Sequence, residues 1–387
     1  MSEIKVNSIK GVSASTAAIS IDNSSGTCTA NITNNLSNRN LIINGAFQVA
    51  QRGTSSIGSN EYGSVDRIWH YYQDVDESPT FSQVDVASGT TPYTLGFRKA
   101  FRVTNGNQTS GAGVSDQIQF EYRLEAQDIA NSGWNYTSST SFLTLSYYIK
   151  SSVAQAFNLF IKTEDGTEKS MPLSTPSLTA DTWTKVSFQI KGDSGISFNN
   201  DNGKGFSIGF QPFLGTNYTD NSITNGEWIA WSSGTRCRDI TSTWYTTNDA
   251  TLEITGLQLE VGSVATDFEH RSYAQELALC QRYYFHLVSG NDKLLGLGMN
   301  YGNPDFFAEV TFPVTMRAAP SLDITTGTNY YIMHQNNTYD QMASFAISRA
   351  NTNNCNLYDS GSGGSAGKGG MLATYNASAS VAFSAEL

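Results

Sequence analysis

The stretch IQFEYRL, residues 118–124, alternates without a break. Ile118, Phe120, Tyr122 and Leu124 fall on one side; Gln119, Glu121 and Arg123 fall on the other. A period of two is that of a strand with one face in a core and one turned outward. The pattern recurs on both sides of it. FLTLSYYIK (142–150) groups Leu143, Leu145, Tyr147 and Ile149, and FRKAFRV (97–103) groups Phe97, Phe101 and Val103. DRIWHYYQ (66–73), WTKVSFQI (183–190), FSIGF (206–210) and WIAW (228–231) add further strands, and Asp165-Gly166 supplies a hairpin turn. NLIINGAFQVAQRG opens the series with a buried strand at Leu41, Ile42 and Ile43 and a turn at Asn44-Gly45. TLEITGLQLEVG closes it with a bulge at Gly256. Strands with polar turns and no crossover helices exclude a parallel α/β sheet and predict an all-β jelly-roll sandwich over residues 41–270.

Beyond it the period changes once. In SYAQELALCQRYYF (272–285), Tyr273, Leu277, Cys280 and Tyr284 recur at i, i+4, i+7 and i+11, one stripe of a helix, with Ser272 and Gln275 placed as a capping box. A helix this short is marginal alone and needs a surface to pack on. It marks a helical joint at 271–287. Period two then returns in FFAEVTFPV, where Phe306, Ala308, Val310, Phe312 and Val314 align. With KLLGLGM, YYIMHQ, SFAISRA and LATYNASASVAFSAEL it predicts a second, smaller β-sandwich over 288–387. Residues 1–40 carry only scattered apolar side chains, among them Ile4, Val6, Ile9 and Val12, too few for a core. They read as an extended arm.

The chain has 387 residues, 15% of them charged, and a net charge of −11. That balance argues against nucleic acid, which needs a basic footprint, and against an anionic membrane surface. Cys28, Cys237, Cys280 and Cys355 are far apart and form no CxxC, so four free, mostly buried thiols are expected and no zinc site. His70, His270, His286 and His334 form no metal-binding spacing, and no cofactor is expected. MSEIKVNSIKG is followed by no apolar core, so neither a signal peptide nor membrane insertion is expected; synthesis in a cytoplasm without export is.

NLIINGAFQVAQRG, DRIW, GLQLEVGSVATDFEHRSYAQELALCQRYY, FPVTMRAAPSL and the final SAEL together resemble tail-fibre and tail-associated structural proteins of tailed bacteriophages, particularly of marine and cyanobacterial type. The resemblance spans residues 40–387. It implies a homotrimeric virion fibre that recognises host surface polysaccharide through a carbohydrate-binding-module-like jelly roll and a distal β tip. MSEIKVNSIKG resembles the virion-anchoring ends of such fibres, which implies docking on a tail adaptor or nozzle protein through Ile4, Val6, Ile9 and Val12. It also implies that Tyr273, Leu277, Cys280 and Tyr284 are contacts between three chains, with Leu279 and Tyr283 on the β domains. Leu277→Asp should then weaken the assembly more than Glu276→Ala. Jelly rolls of this type often hold a structural calcium near the first and last strands. The matching stretches here offer the amides Gln48 and Gln258 in place of carboxylates, so no metal is assigned.

A sugar site needs aromatic faces beside groups that read hydroxyls. In the first domain the aromatic candidates are Trp69, Tyr71, Tyr72, Trp228, Trp231, Trp244 and Tyr245, against a core that claims most large aromatics. Alternation puts Trp69 and Tyr71 on one face and Tyr72 on the other. Trp244 and Tyr245, within TSTWYTTND, are expected to be the exposed pair. In the tip the candidates are Tyr301, Asn303, Tyr330, Tyr331, His334, Asn336 and Tyr339. A depolymerising tail-spike glycosidase is the enzymatic alternative and would need two paired carboxylates. Asp74, Asp76, Glu77, Glu164, Asp165, Asp193 and Asp201 lie mostly in turn-like contexts instead. A decoration or assembly protein without receptor binding is the third reading. GSGGSAGKGG lacks the spacing of a phosphate loop, and there is no G-x-S-x-G elbow.

Overall fold

A computed structural model of the chain describes residues 8–9, 19–21, 28–30, 38–302, 304–361 and 363–387. The fold is all-β. Two six-stranded sheets form the first sandwich. One runs in the order Ile229–Ala230, Lys169–Ser174, Asn158–Thr163, Lys204–Leu214, Gln117–Glu125, Ile68–Gln73; the other runs Thr184–Lys191, Phe142–Ser151, Thr251–Val261, Lys99–Thr104, Thr80–Asp85, Ser55–Ser56. Neighbouring strands in both are antiparallel. Ile118, Phe120, Tyr122 and Leu124 meet Leu143, Leu145, Tyr147 and Ile149 across the core, all at most 3% exposed. Asp165-Gly166 turns the hairpin between Asn158–Thr163 and Lys169–Ser174, with Gly166 at φ +62. The bulge falls at Gly256, φ +67, where the register with Phe142–Ser151 shifts between Thr255 and Gln258.

Two local expectations change. Leu41, Ile42 and Ile43 form no strand. Leu41 N–H reaches the Leu259 carbonyl, but Ile42 N–H bonds the Asn40 side chain and Ile43 N–H the Tyr122 hydroxyl. Side chains have replaced the ladder. Phe97 precedes its strand and packs in a separate cluster with Ala46, Val86 and Ala100.

The second sandwich sets a three-stranded sheet (Tyr284–Ser289, Ser380–Ser384, Ser321–Ile324) on a seven-stranded one (Thr338–Met342, Tyr331–Gln335, Gly369–Thr374, Leu294–Asn300, Phe306–Thr311, Asn354–Asp359, Ala346–Ser348). Phe306, Ala308, Val310 and Phe312 are buried between them. Of the arm, the short strands Ser8–Ile9, Ile19–Ile21 and Cys28–Ala30 pair with one another. Ile4, Val6 and Val12 lie outside the described residues; Ile9 is 53% exposed.

The joint differs most from expectation. Its helix is Tyr273–Gln281, closed at the start by the capping box of Ser272 and Gln275. It stops short because Arg282 turns to Glu125 and the chain enters strand Tyr284–Ser289. Of the stripe read as inter-chain, Cys280 is 1% and Tyr284 4% exposed within one chain. Those two assignments are corrected: both are occupied by the chain's own packing. Tyr273 is exposed and Leu277 half-buried.

The two sandwiches meet directly. Gln51 donates to the Tyr284 carbonyl at 2.7 Å, Tyr62 and the Arg123 guanidinium each donate to the Leu387 carbonyl at 2.9 Å, and Asn202 and Arg317 exchange bonds of 2.6 and 2.7 Å. Arg67 and Arg52 both pair with Glu386. The joint is therefore a packed seam.

Candidate functional site

The outward face of strand Ile68–Gln73 carries Trp69, Tyr71 and Gln73. Register places Glu121, Gln119 and Gln117 of the next strand opposite them in that order. The Trp69 and Tyr71 rings run parallel, centroids 5.8 Å apart at 9°. Arg123 covers one face of Trp69, with Cζ 4.2 Å from the ring centroid, and is held there by Glu121 at 3.0 Å. The Tyr71 hydroxyl donates to Gln73 Oε1, which also accepts from Gln117 at 3.2 Å.

A strap over residues 216–240 closes on this face. It is pinned to itself by Asp220 N–H to the Cys237 carbonyl and Arg236 N–H to the Tyr218 carbonyl, both 2.9 Å. Arg236 Nη1 donates to Gln117 Oε1 at 3.0 Å and Gln119 Oε1 at 3.1 Å, and its Cζ lies 4.8 Å from the Tyr218 ring. Burial lowers the Arg236 pKa, but a guanidinium still keeps its charge at neutral pH. Burial also raises the Tyr71 phenol, so Tyr71 keeps its proton. Together with Asn60 and Ser233 these groups enclose a pocket of about 360 Å³, near the low end of small-ligand sites of roughly 300–1,000 Å³. Three aromatic side chains, three glutamines, an asparagine, a serine and a guanidinium can read hydroxyl groups while packing C–H surface. None of the residues lining it is a carboxylate.

A second concavity lies on the tip. The hairpin Tyr331–Gln335 and Thr338–Met342 turns through Asn336 and Asn337, at φ +50 and +60, values that a two-residue type I′ turn requires. His334 and Tyr339 face each other with centroids 6.3 Å apart. They line a trough of about 470 Å³ with Asn336, Leu297, Met371, Gly369 and Gly370.

Of the sequence candidates, Trp69 sits in the first pocket and His334, Asn336 and Tyr339 in the trough. Tyr301 is 78% exposed, edge-on to Phe307. Asn303 lies outside the described residues. Trp244 and Tyr245 are corrected: they are 0% and 1% exposed. The short helix Thr243–Thr246 drives them inward, where Tyr245 stacks on Phe213 at 4.1 Å and donates to Asp116 at 2.9 Å. Their polar neighbours only cover them. Tyr331 is corrected likewise, at 0% exposure with its hydroxyl on the Thr325 carbonyl; Tyr330 is half-buried against the tip core. Gln73, Gln117, Gln119, Tyr218 and Arg236 were missed. Alternation marked Gln119 as outward; only the strap's path reveals what faces it.

The acidic candidates serve the loops. Asp76 accepts from Ser110 N–H, Glu77 from Asn107 N–H, Asp165 from Asn199 and Asp201 from Gly203 N–H. Glu164 pairs with Lys162 and Lys204, and Asp193 with Lys169. Gln258 is engaged internally, donating to Glu260 and accepting from Glu269 N–H, and Arg39 lies 3.6 Å from Glu260.

No family model matches this chain, and no curated protein matches it. Among solved structures, it is similar to the enzymatically active domain of tailspike protein 4 of bacteriophage CBA120, at 11% identity and TM-score 0.32 over 58% of this chain and 21% of that one. A putative sugar-binding protein of Bacteroides thetaiotaomicron matches at 11% identity and TM-score 0.31, over 58% of this chain and all of that one. The family 11 carbohydrate-binding module of a cellulosomal cellulase of Clostridium thermocellum matches at 14% and 0.24, over 56% of this chain and 98% of that one. At these scores the likeness assigns the chain to none of them.

Proposed function

We propose that the protein is a non-enzymatic virion component of a tailed phage, a homotrimeric tail fibre whose first sandwich binds a host-surface glycan in the Tyr71–Arg236 pocket. The pocket carries the binding part of this reading. It joins aromatic surface to amides and one guanidinium, the mixture that neutral polyhydroxylated ligands need. It offers no carboxylate pair for acid–base hydrolysis, and of the acidic candidates Asp76 accepts from a loop N–H and Glu164 pairs with lysines. The phage part rests on the resemblance of residues 40–387 to tail-fibre proteins, and docking on a tail adaptor belongs to the arm.

The test is binding of the purified chain to host polysaccharides by calorimetry, with Arg236→Ala and Tyr71→Ala as variants whose fold is checked by circular dichroism. Each variant should weaken binding at least tenfold, and the wild-type chain should block phage adsorption. Binding unchanged by both variants overturns the site. Release of reducing sugar overturns the non-enzymatic reading, and a monomer in light scattering overturns the trimer.

A further inference from the structure

The seven-stranded sheet of the tip has one face in its core and leaves much of the other exposed. The register fixes what that outer face presents. His334 lies beside Tyr339 and Met371, Met371 beside Leu297, and on the next row Met299 lies beside Phe307 and Phe307 beside Tyr358. Leu297 is 69% exposed, Met299 47%, Tyr339 65%, and Leu294, Met371 and Tyr301 extend the same surface. Half of the large exposed apolar side chains described in the protein lie on this one sheet and its connecting turns. Scattered exposed apolar residues are ordinary; a contiguous face of them marks an interface.

We propose that this face is where copies of the chain meet, the partner being the same surface of the other copies, all turned toward a shared threefold axis. The inference rests on the oligomeric part of the function proposed above and names its contact. Three observations select the occupant. First, the centre is aliphatic, made by Leu297, Met299 and Met371. Leucine and methionine offer a sugar neither a flat ring nor a hydrogen bond, while Met and aromatic residues are enriched at protein interfaces. Second, the charges are complementary to a copy of themselves. Glu309 stands beside Leu297 on the neighbouring strand, and Arg349 lies over Phe307 with Cζ 5.3 Å from its centroid. Asp305, which accepts from the Tyr358 hydroxyl, adds a second acid at the edge of the face, and Arg349 of one copy can pair with Glu309 of another. Third, the size suits. From Tyr339 to Tyr358 the face crosses six strands, ~24 Å at ~4.8 Å per spacing, and Leu294 to Tyr301 runs ~23 Å. That plane of roughly 550 Å², before side-chain relief, approaches the ~800 Å² per partner of a stable interface.

The joint helix is thereby replaced as the main contact, since its Cys280 and Tyr284 are spent inside one chain. The experiment compares the full chain with the double variant Leu297→Lys, Met371→Lys and with the exchange pair Glu309→Arg and Arg349→Glu, using sedimentation equilibrium. Both lysines replace exposed side chains, so folding is retained, as the melting curve of the same sample verifies. The wild type should be an oligomer, the double-lysine variant should fall to the monomer mass of 42.0 kDa, and either charge reversal alone should weaken association that the two together restore. A wild-type monomer overturns the proposal, and so does a double-lysine variant that keeps the wild-type mass. Glycan affinity at Arg236 is read separately on the same variants. It should stay within twofold of the one-to-one wild-type constant, so failure of the glycan reading and failure of this interface give different results.

Discussion

Arg67 Cζ lies 3.5 Å from the centroid of the Tyr283 ring, and both residues are 1% exposed. One belongs to the first sandwich and the other to the joint. The guanidinium also donates to the Arg123 carbonyl and pairs with Glu386 of the second sandwich. Burial alone would lower the Arg67 pKa; Glu386 and the neighbouring tyrosines reverse that and raise it. A charge this deep is tolerable only with its partner in place, so the first sandwich requires the last strand's continuation to satisfy it.

Glu386→Gln should therefore cost ~3–5 kcal/mol, the penalty for leaving a buried cation unpaired. Replacing the pair together, Arg67→Met with Glu386→Leu, should recover part of that loss, because the deepest charge is then gone while Arg52 keeps its place over the Tyr284 ring. Urea unfolding followed by tryptophan fluorescence measures both. Equal losses in the single and double variants would refute the pairing argument.

Two buried groups near the seam pull stability in opposite directions with pH. Burial raises Asp66 from 3.8 to about 6, against the opposing bonds from Gln51. Its contribution is fully present below about pH 3.8 and is lost as pH rises through about 6. Burial lowers His70 from 6.5 to about 4, the ring lying 4.1 Å from that of Phe81. Its contribution is present above about pH 6.5 and is lost as pH falls through about 4. Each effect is ~3 kcal/mol, so they offset between pH 4 and 6.5. Relative to wild type, Asp66→Asn should lose stability on acidification across that window, and His70→Phe should gain it. Urea midpoints at a series of pH values check the slopes, which are independent of any constant loss from the substitution.

How much of this was legible follows from where each signal resides. Ile118, Phe120, Tyr122 and Leu124 announced their strand because period two is a property of the chain itself. Gly256 announced its bulge because a residue free of a Cβ tolerates positive φ. Trp244 and Tyr245 misled because local polarity reports the surface of a segment, and the helix Thr243–Thr246 points its rings under that surface. The pocket was hidden for another reason: Gln117 and Arg236 are joined by a strap whose course no local pattern encodes. The exposed face of the tip sheet was also unreadable, since Leu297 and Met299 look like core residues until the opposite face is seen to be filled.

The thiols supply a simple chemical check. Cys237, Cys280 and Cys355 are free and buried. Burial pushes Cys237 and Cys355 up to about 12 and raises Cys280 as well. Without thiolate or access none should react. Iodoacetamide on the native chain, read by peptide mass spectrometry, should leave all three unmodified, and the same reagent in denaturant should modify all three.

The joint helix gives the last prediction, because its role in the fold of one chain is distinct from any role of its stripe between chains. Glu276 is 6% exposed, and its carboxylate accepts the Asn44 N–H at 2.6 Å with Arg271 at 3.5 Å. Asn44 sits at φ +62, and its side chain bonds Val49 and Asp66. Glu276 thus fixes the turn that carries the first sandwich's entry segment. Removing it leaves a buried N–H and a partly buried guanidinium without their acceptor, a loss of ~1–3 kcal/mol or more. Leu277 is half-buried beside it and supports less. Glu276→Ala should therefore lower the unfolding free energy more than Leu277→Asp does, measured by urea denaturation at a concentration where association is constant. The opposite order would show that the outer stripe of the helix, and not its buried carboxylate, holds the joint.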